Sequence, residues 1–185
     1  MPELWIARFL FKLGRLAYSH DIATQRFLQE RTAIRNLINS TSASQGAIPV
    51  LIPRLKGLED SSRFWSVWMT LEHLRITNTV FASVIQTLSS GKLPEFEART
   101  EAVKPSPDTG AESVASYEAS CDAILDVLNA NSELRHTQRF PHPWFGPMTA
   151  ADWHLLAGGH MAIHRRQIEA ILQGLPSKET PQARA

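Results

Sequence analysis

Four long stretches of this 185-residue chain repeat apolar side chains at intervals of three and four, which restricts the fold more than any other feature. That spacing gathers the apolar groups on one face of a helix with 3.6 residues per turn. The last stretch is the clearest. Trp153, Leu156, His160, Ile163, His164, Gln167, Ile168 and Ile171 follow the pattern. Thr149-Ala150-Ala151-Asp152 has the form of a capping box with Asp in the usual Glu position, so a helix starts at Ala150. Gly174, with Pro176 beyond it, stops that helix near residue 173.

The other three helices are expected over 21–39, 63–89 and 111–129. The first carries Ile22, Phe27, Leu28, Ile34, Leu37 and Ile38. The second places Met69, His73, Thr77, Val80 and Val84 on one face. It is expected to start near Ser61 or Ser62, good capping residues, and to stop at Ser89-Ser90-Gly91. The third has a stripe of Val114, Tyr117, Cys121, Ile124, Leu125 and Leu128. Ser40 to Gly46 and Lys92 to Gly110 read as loops by composition. Phe140 to Met148 holds Pro141, Pro143 and Pro147, which exclude regular helix and central strand. No strand pattern of convincing length is present.

These elements predict an all-α chain, a four-helix bundle over residues 21–175. An additional N-terminal amphipathic helix is expected within 1–20, and 176–185 is expected to be a flexible tail. In the N-terminal helix Trp5, Ile6, Phe9, Leu10, Leu13, Leu16 and Ala17 form one stripe, and Arg8, Lys12 and Arg15 lie off it. Its apolar face is expected to pack on the bundle or on a second copy, with a homodimer as the extension. A membrane-surface anchor is the competing reading. The three cations interrupt any signal-peptide core.

Composition removes several function classes. A formal net charge of +1 and no strongly basic stripe argue against a nucleic-acid partner. No apolar run approaches the ~18–20 residues that span a bilayer. Cys121 is the one cysteine, makes no internal disulfide, and suits a reducing, cytoplasmic setting.

Chemistry concentrates in His73, His160 and His164. His160 and His164 are four apart, on one helix face, with Cβ atoms roughly 5–6 Å apart. Two imidazoles so placed can share a divalent metal. His73 lies on the apolar face of another helix, so packing of the two helices brings three neutral nitrogens to one point. Three protein ligands leave a metal position open for water or substrate, the arrangement of a catalytic rather than a structural site. The bland alternative is three half-buried histidines bonded to polar neighbours.

Around them, Thr70 and Thr77 share the face of His73 and are candidate pocket residues, as is Gln167, one turn beyond His164. His142 and Trp144, in the proline-rich stretch, are candidates for a pocket cover, with His142 the reserve group for proton transfer. Glu72 points about 100° away from His73 and is read as a solvent-facing or supporting carboxylate. His136 and His154 are not expected to be ligands. Arg165 and Arg166 are read as a solvated face. Gly158 and Gly159, inside a helix, each cost roughly 1 kcal/mol relative to Ala, which points to close packing or to room for a ligand.

The segments Trp68-Met69-Thr70-Leu71-Glu72-His73-Leu74 and His160-Met161-Ala162-Ile163-His164-Arg165-Arg166-Gln167 resemble the DinB/YfiT-like superfamily. Its members share a four-helix bundle, one histidine on the second helix and an H-x-x-x-H pair on the last. The stretch from His142 to Thr149, followed by Trp153, resembles one branch of it. The resemblance spans about 21–175 and leaves the N-terminal segment out. It implies that His73, His160 and His164 are the ligands of a divalent metal ion, Zn or Ni first, then Fe or Mn. It also implies a low-molecular-weight thiol as cofactor and a small-molecule substrate of unspecified identity. The leading expectation is therefore a metal-dependent, thiol-using transferase. The alternatives are a metal-dependent hydrolase and a non-catalytic protein that binds a metal or small molecule.

Overall fold

The computed structural model describes residues 8, 9, 11 and 13–176. The expected tail from 177 onward, and Trp5, Ile6, Leu10 and Lys12 of the expected N-terminal helix, lie outside the described residues.

Four long helices form the bundle: α1 (His20–Asn39), α2 (Val67–Ser89), α3 (Ser113–Ala130) and α4 (Ala150–Gln173). α2 packs against both α3 and α4, α1 lies along α4, and α1 meets α3 more lightly. Between them Phe27, Ile34, Leu71, Leu74, Ile85, Leu88, Tyr117, Ile124, Leu128, Trp153, Ile168 and Ile171 are buried in one apolar core. Arg31 and Arg35 of α1 both bind the Glu118 carboxylate of α3, tying that seam at its surface.

The caps explain where α2 and α4 start. α4 begins where the sequence places it: Thr149 Oγ1 accepts from Asp152 N, and Asp152 Oδ2 accepts from Thr149 N. α2 starts later than expected. Ser66, not Ser61 or Ser62, is its cap, with Ser66 Oγ accepting from Met69 N. Residues 60–62 instead form a single 3-10 turn before a short strand. The serines at 61 and 62 carry the same cap signal as Ser66, so composition does not discriminate among them.

The connections are more ordered than their composition suggests. Ser42-Ala43-Ser44-Gln45 is itself a capping box and holds one helical turn, Ala43–Gly46. Trp68 Nε1 donates to Ala43 O at 3.0 Å, and its ring lies where a Cβ on Gly46 would be. β1 (Val50–Leu51) pairs antiparallel with β2 (Phe64–Trp65). β3 (Phe140–His142) pairs with β4 (Gly146–Met148), placing Pro141 opposite Pro147. A two-stranded ribbon has two free edges and accommodates prolines that a central strand would not.

The described part of the N-terminal segment is helical and docks on its own bundle. Phe11 lies on Phe145 with ring centroids 4.8 Å apart, Arg15 binds Asp152 at 2.6 Å, and Arg8 Nε donates to Trp144 O at 2.7 Å. Phe9, Leu13 and Leu16 stay exposed. No described helix is long and apolar enough to cross a membrane.

Candidate metal centre

α2 supplies His73 and α4 supplies His160 and His164, and their packing brings the three imidazoles together. One ring nitrogen from each lies within 4.8 Å of the others. Ring centroids are 4.5 Å apart for His73 and His164, 4.5 Å for His160 and His164, and 5.2 Å for His73 and His160. His73 Nε2 and His160 Nε2 are separated by 3.3 Å. Two nitrogens bound tetrahedrally to one ion at 2.0–2.1 Å stand about 3.3–3.4 Å apart, so this edge already has the spacing of a metal site. The donor set fits a divalent cation.

Supporting bonds select which nitrogen faces the centre. His73 Nδ1 lies 2.7 Å from Val103 O. A carbonyl only accepts, so Nδ1 carries the proton and Nε2 keeps its lone pair. His164 Nδ1 lies 2.7 Å from Gln167 Oε1, and Gln167 Nε2 donates to Ser62 O at 2.7 Å. The Ser62 carbonyl fixes the Gln167 amide, and the amide oxygen fixes Nδ1–H on His164. Such outer bonds orient and strengthen histidine ligands. His160 differs: its Nδ1 is enclosed and has no partner among the described residues.

The walls are aromatic. Trp65 of β2 stands 5.2 Å from the His73 ring and stacks on His164 at 6.4 Å with a 12° tilt. Phe81 meets the edge of His160 at 5.5 Å. Burial holds all three imidazoles in the neutral form a metal requires. The His73 pKa falls to about 4, lowered by burial against a smaller opposing effect of the Val103 bond. His160 and His164 lie well below the ordinary histidine value, again chiefly through burial, with the neighbouring imidazoles adding to it.

The remaining candidates separate into two groups. Gln167 is part of the site through His164. Thr70 and Thr77 are buried on the expected face, but their hydroxyls donate to Ser66 O and His73 O of the preceding turn. His142 sits on the β3–β4 ribbon, 5.2 Å from the Trp153 ring, with its pKa lowered by burial to about 4. Its Nδ1 accepts from Trp144 N at 3.1 Å. It is not among the three clustered ligands. Trp144 helps fasten the N-terminal segment through its carbonyl. Glu72 is held by Arg75 rather than by a metal position. Arg165 pairs with Glu30 and Glu169, and Arg166 is exposed. His154 lies on the other side of α4, between the hydroxyls of Tyr18 and Thr24.

Sequence reasoning did not identify Trp65, Phe81, Val103 or Ser62. The last two act through backbone carbonyls, which any residue provides. Trp65 stands just before Ser66, and only a hairpin at that place turns its ring over the histidines.

Comparison with known proteins bears on the family and the fold. A family model described as the DinB superfamily matches residues 26–168. The crystal structure of TT2238, a four-helix bundle protein, is similar with a TM-score of 0.61 at 20% identity, covering 82% of this chain and 99% of that one. At that identity the likeness concerns the fold. No curated protein matches the chain.

Proposed function

The chain belongs to the DinB superfamily, and from that premise we propose that it is a divalent-metal-dependent enzyme that uses a low-molecular-weight thiol in group transfer. The observation that carries this reading is the buried, neutral cluster of His73, His160 and His164, with its 3.3 Å Nε2–Nε2 edge. His73 and His164 hold their lone pairs toward one point through Val103 O and Gln167, and His160 completes the set. Three ligands leave a position free for an exogenous group. A bound ion there supplies Lewis acidity, lowering the pKa of a thiol or water it contacts. Trp65 and Phe81 keep bulk water from the rings. Neutral histidine ligation suits zinc or nickel, and iron or manganese less closely.

In the transfer reading the thiol S–H loses its proton to solvent. The sulfur then forms a bond to an electrophilic carbon while the leaving group departs with its electron pair. Incubating the zinc- or nickel-loaded protein with a thiol and an alkyl halide, beside its His164→Ala variant, tests this. Thiol consumption by the parent alone supports transfer. Ester hydrolysis without thiol replaces it with the hydrolase reading. Metal uptake with neither activity leaves a binding protein.

A further inference from the structure

Two of the three ligands reach out of the bundle and hold its non-helical walls. His73 Nδ1 donates to Val103 O at 2.7 Å, in a single 3-10 turn at Glu101–Val103. His164 acts through Gln167: the amide oxygen takes the Nδ1–H at 2.7 Å, and the amide nitrogen donates to Ser62 O at 2.7 Å. Ser62 ends the 60–62 turn, and Trp65 just beyond it lies over the His73 and His164 rings. Nδ1 of His160 makes no such outward bond among the described residues. No described hydrogen bond joins a ligand to the β3–β4 ribbon.

Each outward bond works in one tautomer only. A carbonyl accepts and never donates, so Val103 O is held only while His73 carries its proton on Nδ1. Ser62 O likewise needs the nitrogen side of the Gln167 amide. That turns the oxygen side toward His164, which must then carry its proton on Nδ1 as well. Neutral imidazole has a second tautomer, with the proton on Nε2. In that form the His73 Nδ1 lone pair faces the Val103 oxygen and the bond becomes a repulsion. At His164 the Gln167 amide flips to donate to Nδ1, and its oxygen then meets Ser62 O. Gln167 is fully buried, so the Ser62 carbonyl regains a partner only if its wall moves toward water.

The inner nitrogens decide between the two forms. When Nε2 of His73 and of His164 is committed to an ion, no proton can sit there, and only the Nδ1–H form remains. We propose that metal occupancy works the two walls as latches. The loaded centre locks the Ser62–Trp65 wall through Gln167 and the Glu101–Val103 wall through His73; the metal-free centre releases both. The inference rests on the metal reading above, and amide hydrogen exchange separates the two. Zinc uptake reads the metal, and exchange of peptides with and without zinc reads the walls. In the parent, zinc should slow exchange over 60–66 and over 100–104 roughly three- to tenfold, the effect of one recovered hydrogen bond, and leave the β3–β4 ribbon within about twofold. Gln167→Glu keeps an acceptor for His164 but offers no N–H to Ser62 O. Loaded with zinc, it should gain protection over 100–104 and not over 60–66, a split that a merely structural role would not produce. If that variant does not fold or takes up no zinc, the parent alone decides, by the response of the walls against that of the ribbon. Exchange at either parent wall that is the same with and without zinc overturns the proposal. So does uniform slowing of walls and ribbon alike, which marks only global stabilisation by a bound ligand. Zinc protection of 60–66 as strong in Gln167→Glu as in the parent also overturns it. A parent that takes up no zinc removes the metal reading, and this inference with it.

Discussion

His164 and Gln167, one turn apart on α4, form a fixed pair: Nδ1 of the imidazole is 2.7 Å from Oε1 of the amide, whose nitrogen is anchored on Ser62 O. Gln167 thus turns the carbonyl of a buried residue, at the end of the 60–62 turn, into the device that aims a ligand. Replacing it by Ala should lower metal affinity about 10–100-fold, the usual effect of losing a supporting bond to a histidine ligand. It should also cost about 1–3 kcal/mol of stability, because Ser62 O and His164 Nδ1 lose their partner. Competition with a chelating dye reads the first effect, and urea unfolding the second. Gln167→Glu keeps an acceptor for His164 and should retain more metal than the Ala variant. Equal metal loss in both would count against the aiming role.

Acid should destabilise the metal-free protein over a defined window. His73, His142 and His154 have pKa values lowered by burial from 6.5 to about 4, about 4 and about 3, and His160 and His164 are lowered as well. Between the ordinary histidine value and these folded values the unfolded chain binds more protons than the native one. Stability therefore rises with pH: it is full above about 6.5 and is lost as pH falls from there toward 4. Each proton taken up on unfolding contributes a slope of about 1.4 kcal/mol per pH unit. Urea midpoints of chelator-treated protein between pH 7 and 4.5 should show a slope of more than one proton. A flat profile would mean that these imidazoles are not buried in the native state.

The α4 cap should matter for stability and not for metal. Thr149→Ala removes the acceptor for Asp152 N and should cost ~1 kcal/mol. Asp152→Ala should cost more, since it leaves Arg15 and Thr149 N without their partner and loosens the N-terminal segment. Metal affinity should hold in the Thr149 variant, because His160 lies about three turns into the helix. Loss of metal there, in protein that remains folded, would contradict the independence of cap and site.

The four helices and the helix face of each histidine were legible because both depend on local periodicity; the meeting of the three histidines followed from the family resemblance and the packing of two helices. A helix registers every third and fourth residue, so His160 and His164 had to share a face, and His73 had to lie on the apolar side of α2. The start of α2 was not legible, since Ser61, Ser62 and Ser66 are equivalent cap candidates and tertiary packing chooses Ser66. The two ribbons were not, because two- and three-residue strands are set by pairing rather than by pattern. The threonines on the His73 face show the limit of face assignment. Thr70 and Thr77 are placed correctly, but a helical hydroxyl finds the carbonyl one turn back before it finds a ligand.

The central claim is that His73, His160 and His164 together hold one divalent ion. The most direct test is metal analysis of protein purified without a nickel column or added metal, then dialysed against zinc, beside the variant in which all three histidines are Ala. The account predicts about one equivalent in the parent and essentially none in the variant, with the helical circular dichroism of both alike because the apolar core is built by other residues. A parent that takes up no metal, or a folded variant that keeps it, would contradict the claim.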